Sequence, residues 1–241
     1  MPLTDEILDA TVRHSVYLER YKARVVQEIM RLVGDVETVV VTETMRVELD
    51  GMAKKDLSRL LTRIRKRIKD GYDPVVALID AEVEGLAAYE GEWQRDLFRS
   101  VVPVELDWTS PAPEQLYAAT HARPFQGRLL KEWYKGLPDA TFRRVRETIR
   151  NGYVEGQTTE QIVRAIRGTR TTSGIMDQSR RGATAAVRTA LAHTANVARN
   201  EVYRANRNLI KGVEWVSTLD GRTSAICRAR DGKMWPVDKG P

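Results

Sequence analysis

Cysteine and histidine are scarce in this chain: one cysteine and three histidines among 241 residues. A single cysteine closes no internal disulfide, which fits a protein made in a reducing cytoplasm. The histidines, His14, His121 and His193, are widely separated and lack ligand-like spacing. With no second cysteine to join them, neither a metal site nor any other cofactor is expected. Long hydrophobic runs are also missing. Runs such as Val39–Val41 fall far short of the roughly 20 apolar residues that span a bilayer, so no membrane anchor is expected. The first residues, MPLTDEILDA, have neither a basic n-region nor an apolar h-region, and no secretory signal is expected there.

What is present describes a soluble, charge-rich globular protein. Hydrophobic residues make up 42% and charged residues 30%, with a formal net charge of +6. The length suffices to bury a proper core. The positive balance permits contact with nucleic acid without requiring it.

Periodicity predicts a mostly α protein, its long helices packed as a bundle, with a small C-terminal β-hairpin or knuckle. Thr4, Asp5 and Glu6 form a helix start, a capping hydroxyl with acids in the first turn. Ile7, Leu18, Tyr21, Val25, Ile29 and Leu32, with His14 on the same stripe, predict a helix ending at Gly34-Asp35. Residues 36–49 mix β-branched residues with Glu and Met, and are read as helix. A helix over 53–69 has Leu57, Leu60, Leu61, Ile64 and Ile68 inside. Outside it carries Lys54, Lys55, Arg59, Arg63, Lys66 and Arg67, residues able to contact phosphates or an acidic partner. Asp73-Pro74 reads as the start of a separate helix to Ser100, with Asp80, Glu82, Glu84, Glu90, Glu92 and Asp96 outside. A basic helix followed by an acidic one suggests two antiparallel neighbours, which draws the basic face away from DNA.

The proline-containing stretch DWTSPAP suggests a boundary, giving a helical region over 1–107, a connector with short helices over 108–138, and a C-terminal domain over 139–241. Within the connector, 114–120 and 126–135 read as short helices. Asp139 is expected to cap the next helix, which Gly156 stops. Thr158 or Thr159 starts another to Gly168, and a linker covers 169–179. A helix over 182–211 shows small residues, from Ala183 to Ala205, on one side. Its other side displays His193, Asn196, Arg199, Asn200, Glu201, Arg204, Asn206 and Asn208. So many asparagines in a helix imply partners outside it. Arg199 and Glu201, two residues apart, are not expected to pair with each other. From Val213 an alternating strand, an Asp220-Gly221 turn, an irregular segment and an Asp231-Gly232 turn describe the knuckle.

Here the chain resembles the bacteriophage head-morphogenesis, or minor capsid, family typified by the Mu and SPP1 minor head proteins. The resemblance rests on Ala198-Arg199-Asn200-Glu201, where the family favours A-R-T-E, and on Asn206. It continues through Trp215, Ser217, Thr218, Asp220, Arg222 and Thr223 to Cys227 and Asp231-Gly232-Lys233. The family pattern usually goes on to a proline-rich H-P-x-C-R-C element, and in that pattern Cys227 and the distal histidine and cysteines look like potential metal ligands or thiol partners. The resemblance implies a non-enzymatic minor head protein in multiple copies per particle. Its expected partners are portal or major capsid protein, and its expected place is the head interior or portal vertex of the virion, after assembly in the host cytoplasm. A second reading is a DNA-binding internal protein ejected with the genome, using Lys54 to Lys69 and the arginines from Arg164 to Arg181. A third, a nuclease or transferase built from His193, Glu201, Asp220, Arg222, Cys227 and Asp231, lacks a base oriented toward Cys227. Asp220 and Asp231 read first as turn residues.

Overall fold

The computed structural model describes residues 3–125, 127–237 and 239, with only the backbone of residues 3 and 4. α1 already includes Leu3, so Thr4 lies inside the helix and is not its cap, while the expected helix start at Gln126 lies outside the described residues. The fold is mostly α, with one small two-stranded sheet among the described residues. The helices are α1 Leu3–Met45, α2 Lys54–Val101, α3 Pro113–Ala122, α4 Leu130–Lys135, α5 Leu137–Val154, α6 Thr159–Arg167, α7 Ile175–Ala205 and α8 Ala225–Arg230. The strands are β1 Val213–Glu214 and β2 Met234–Trp235.

Two long helices overrun their expected stops. α1 continues through Gly34-Asp35 to Met45, taking most of the segment read as helix with it. Glycine inside a helix costs only about 1 kcal/mol. Val33, Val36 and Val40 beyond and beside it are buried, and each contributes roughly 1.5–3 kcal/mol. α2 likewise runs through Asp73-Pro74, with Pro74 in its interior. Buried Tyr72, Val75 and Ile79 flank the proline, and their burial offsets its penalty of roughly 3 kcal/mol. The basic and acidic stretches are thus halves of one helix, and the inference of two antiparallel neighbours fails.

Other ends shift for local reasons. α5 begins at Leu137, with Pro138 in its first turn, so Asp139 is a first-turn acid and not the cap. α4 begins at Leu130, where the Glu132 carboxylate accepts from the Leu129 amide at 3.2 Å. Thr158 caps α6 as expected: its hydroxyl accepts from the Gln161 amide, and the Gln161 side chain accepts from the Thr158 amide. The second part of the expected linker over 169–179, from Ile175 on, is absorbed into α7, because Asp177 accepts from the Gly174 amide at 3.0 Å and starts the helix there. α7 ends at Ala205, well before Lys211.

The chain forms two compact units, each assembled from separated stretches. One comprises Met1–Thr11, Gly85–Thr120 and Thr194–Pro241; the other comprises Val12–Glu84 and His121–His193. The second has the larger apolar interior, with Val25, Ile29, Val36, Ile64, Ile68, Val145, Ile149, Ile162 and Ile166 among its buried residues. A Cβ on Gly71 would sit 2.9 Å from Val36 Cγ2, so α1 and α2 approach closely at that point. Deeper in the same unit the buried Tyr72 hydroxyl meets Thr141 Oγ1 at 2.9 Å, and Thr141 donates to Ser179 Oγ at 3.1 Å. That hydroxyl chain ties α2, α5 and α7 together. His14 is buried and stacks on Tyr17, and His193 is buried with its ring 5.6 Å from that of Phe125. His193 was expected on the polar side of its helix; it is an interior residue.

Candidate functional site

The first unit gathers the motif residues. Along the last turns of α7, Arg199, Tyr203 and Asn206 recur at helical spacing and meet a matching row of polar partners. Arg199 Nε donates to Glu90 Oε2 at 2.9 Å, and Glu90 is fully buried on α2. Tyr203 donates to Gln94 Oε1 at 3.3 Å, one turn further along α2. Asn206 closes the ladder. Its Oδ1 accepts from the Thr109 amide at 2.9 Å, and its Nδ2 donates to the carbonyls of Thr109 and Val202 at 2.8 and 2.7 Å. Its side-chain amide thus pairs with Thr109 as a neighbouring strand would, and its bond to the Val202 carbonyl adds to the one that carbonyl accepts from the Asn206 main-chain amide at 3.2 Å.

Apolar contacts flank this ladder. Ala87, Leu116 and Ala198 pack together beside Glu90 and Arg199. A Cβ on Gly91 would lie 2.4 Å from Leu116 Cδ1 and 2.8 Å from Ser110 Oγ, so a larger residue there would push those side chains aside. Phe98, Trp108 and Val202 form the second cluster, with Leu209 and Ile210 against it and the Phe98 and Trp108 rings 4.7 Å apart. Burial pushes the Tyr203 hydroxyl above the ordinary tyrosine range.

The sequence reading placed Asn206 on the exposed side and Ala205 on the inner side of this helix; the structure reverses both, with Asn206 buried and Ala205 exposed. It does supply the outside partner that the asparagines implied. Glu90 was assigned to an outer acidic face and is interior. Its signal was present: Val83, Leu86, Glu90, Gln94 and Leu97 follow one stripe at three- and four-residue steps, and all are buried. Glu201 pairs with Arg204 at 3.2 Å and not with Arg199, as its spacing demanded.

The knuckle follows. β1 and β2 pair antiparallel, Val213 opposite Trp235 and Glu214 opposite Met234. The Trp215 amide donates to the Lys233 carbonyl at 3.0 Å, and the Gly232 amide donates back to Trp215 at 2.9 Å. Gly232 occupies a left-handed conformation (φ 69°), which the turn requires. Trp215 Nε1 donates to Ser217 Oγ, and Ser217 Oγ donates to the Cys227 carbonyl, both at 3.0 Å. Asp231 accepts from the Ser217 amide at 2.7 Å, while the Arg230 guanidinium lies 5.5 Å from the Trp215 ring centre. Asp220 holds the first turn, accepting from the Arg222 amide at 2.8 Å and from the Thr223 hydroxyl at 3.2 Å. The ion pair from Arg222 to Asp220 is long, 3.9 Å, with Arg222 96% exposed. Between the turns, where an irregular segment was expected, Ser224 caps the short helix α8 by accepting from the Cys227 amide at 3.2 Å.

The motif of tryptophan, serine, aspartate, threonine, cysteine and aspartate-glycine thus consists of residues that bond one another's backbone. Cys227 is half-buried and contributes its carbonyl and amide. Among the described residues no cluster of three or more His, Cys, Asp or Glu side chains could hold a metal ion.

The basic candidates lie in the other unit, on the first turns of α2. Lys54, Lys55, Arg59, Arg63, Lys66 and Arg67 are all exposed. Arg59 pairs with Asp56 at 3.0 Å, while Arg63 and Arg67 approach the buried Glu43 at 3.7 and 3.6 Å. Glu43 also accepts from Arg46 at 3.0 Å. Part of this positive charge is therefore spent locally.

No relative among curated proteins and none among solved structures matches the chain. A family model described as Phage Mu protein F like protein matches residues 143–241, from α5 to the end of the chain. That stretch contains Arg199, Asn206, the tryptophan-serine pair and both turns of the knuckle. Residues 143–241 are thus similar to the Phage Mu protein F like family.

Proposed function

We propose that the chain is a non-enzymatic minor head protein of a tailed phage or prophage, associated with the portal or the inner capsid surface during head assembly. The observation carrying this reading is the family match over residues 143–241, which includes both the ladder residues of α7 and the knuckle. The side chains that invited an enzymatic reading support it too. Asp220 and Asp231 are bonded to turn backbone, Glu201 is paired with Arg204, and His193 is buried. Co-expression with the portal and major capsid proteins of the same phage tests the proposal. Co-purification with either supports it, and absence of association with both overturns it. Incubation with plasmid or nucleotide, with and without divalent metal, tests the non-enzymatic part; turnover refutes it.

A second reading, an internal protein that binds packaged DNA and leaves with the genome, is favoured by one observation. α2 is continuous, so its basic first half is not neutralised by its acidic second half acting as an antiparallel neighbour. Lysine and arginine contacts to phosphate make binding fall steeply with salt. Retention on duplex DNA at low salt that is lost at high salt supports this reading, and absence of retention at low salt refutes it.

A further inference from the structure

We propose that the knuckle docks on the 103–107 segment of a second copy of this chain, in a head-to-tail contact. From Arg207 to Val237 no residue is buried, although hydrogen bonds hold the segment in a defined shape. Its large apolar side chains point outward: Val216 is 55% exposed, Leu219 58%, Ile226 64% and Met234 65%. So much apolar surface on one small module marks an interaction face. Its charge is basic in effect. Arg222, Arg228 and Lys233 are exposed against the exposed carboxylate of Glu214, while those of Asp220 and Asp231 accept hydrogen bonds from the knuckle's own backbone.

The chain itself carries a complementary surface. After α2 the backbone leaves the helix as Pro103-Val104-Glu105-Leu106-Asp107, every residue exposed, Val104 at 64% and Leu106 at 37%. Apolar and acidic side chains alternate along it, and it lines an open groove of about 770 Å³ with Arg99 and Trp108. An apolar face rimmed by cations thus meets, on another copy, an apolar segment interleaved with carboxylates. The two surfaces differ, so the contact is heterologous, and repeating it closes a ring or extends a chain of subunits.

Sedimentation velocity over a concentration series tests this, using the full chain and two charge-reversed variants, Arg222→Glu with Lys233→Glu and Glu105→Lys with Asp107→Lys. All four positions are exposed, and unchanged circular dichroism and melting confirm folding. The wild type should self-associate, less so at high salt. Each variant alone should associate at least about tenfold more weakly, as charge reversal at an interface does. Mixing the two variants should restore association, because each then meets its opposite charge. Ile226→Ser with Met234→Ser should weaken association without changing its salt dependence. A wild type that stays monomeric throughout, or association untouched by both reversals, overturns the proposal. Monomers that bind another head protein through the knuckle also overturn it and assign the face to that partner.

Discussion

Asn206 is the residue on which the motif's structural role can be read most directly. Its amide makes three bonds to main chain, and only glutamine, one methylene longer, offers the same donor and acceptor. Asn206→Asp keeps the acceptor but loses both donations, and it sets a buried carboxylate against two carbonyl oxygens. The expected loss is about 2–4 kcal/mol, measured by urea unfolding, since the cost is that of unsatisfied buried groups. Arg199 makes a parallel case. Arg199→Ala takes the guanidinium away from Glu90, which is fully buried, and should cost about 3–5 kcal/mol. Replacing both residues, Arg199→Met with Glu90→Leu, should recover much of that loss, because an apolar pair carries no buried charge. If the double variant is no better than Arg199→Ala, the ion pair is not the source of the loss. The sequence pointed to asparagines with outside partners but not to which one, because burial decides that and three of the four are at the surface.

At the scale of elements, punctuation misled where burial outweighed it and informed where the chemistry was local. Gly34 and Pro74 looked like ends, yet both lie within helices whose apolar stripes continue past them. The knuckle was legible because Asp-Gly turns are fixed by neighbours a few residues away. α8 was not, because its apolar residues face outward and show no inner stripe. Two glycines separate these influences. A Cβ on Gly34 meets nothing within 4 Å, so Gly34→Ala should raise stability by about 0.5–1 kcal/mol through helix propensity. Gly174 immediately precedes α7, and its Cβ would stand 2.3 Å from the Gly168 amide nitrogen and 2.5 Å from the Ile166 carbonyl oxygen. Backbone cannot step aside as a side chain can, so Gly174→Ala should cost more than about 2 kcal/mol. Thermal unfolding of the pair should move in opposite directions; a shift of the same sign in both removes the explanation for one of them.

At the scale of the whole molecule, the assembly of each unit from separated stretches leaves no local trace, because it depends on which buried stripes meet. Asn206 is bonded to Thr109, and Leu49 to Thr159, across about a hundred residues. One property shared by both units is readable through pH. Burial raises the hydroxyls of Tyr72 and Tyr203, and Tyr21 is raised by burial and by its hydrogen bond to the Glu82 carboxylate. Tyr203 belongs to one unit, Tyr21 and Tyr72 to the other. In an unfolded chain each would titrate near pH 10. A folded value above the unfolded one means that the folded state keeps its proton longer. The stability these groups contribute is therefore fully present below about pH 10 and is lost as pH rises from there through the folded values. Urea unfolding should show little tyrosine-linked change up to about pH 9, then a decline of at most about 1.4 kcal/mol per pH unit for each such group. Tyr203→Phe removes a group held mainly by burial, so it should make the decline shallower while costing little at neutral pH beyond its bond to Gln94. A decline equally steep in Tyr203→Phe would show that its hydroxyl ionises as readily folded as unfolded.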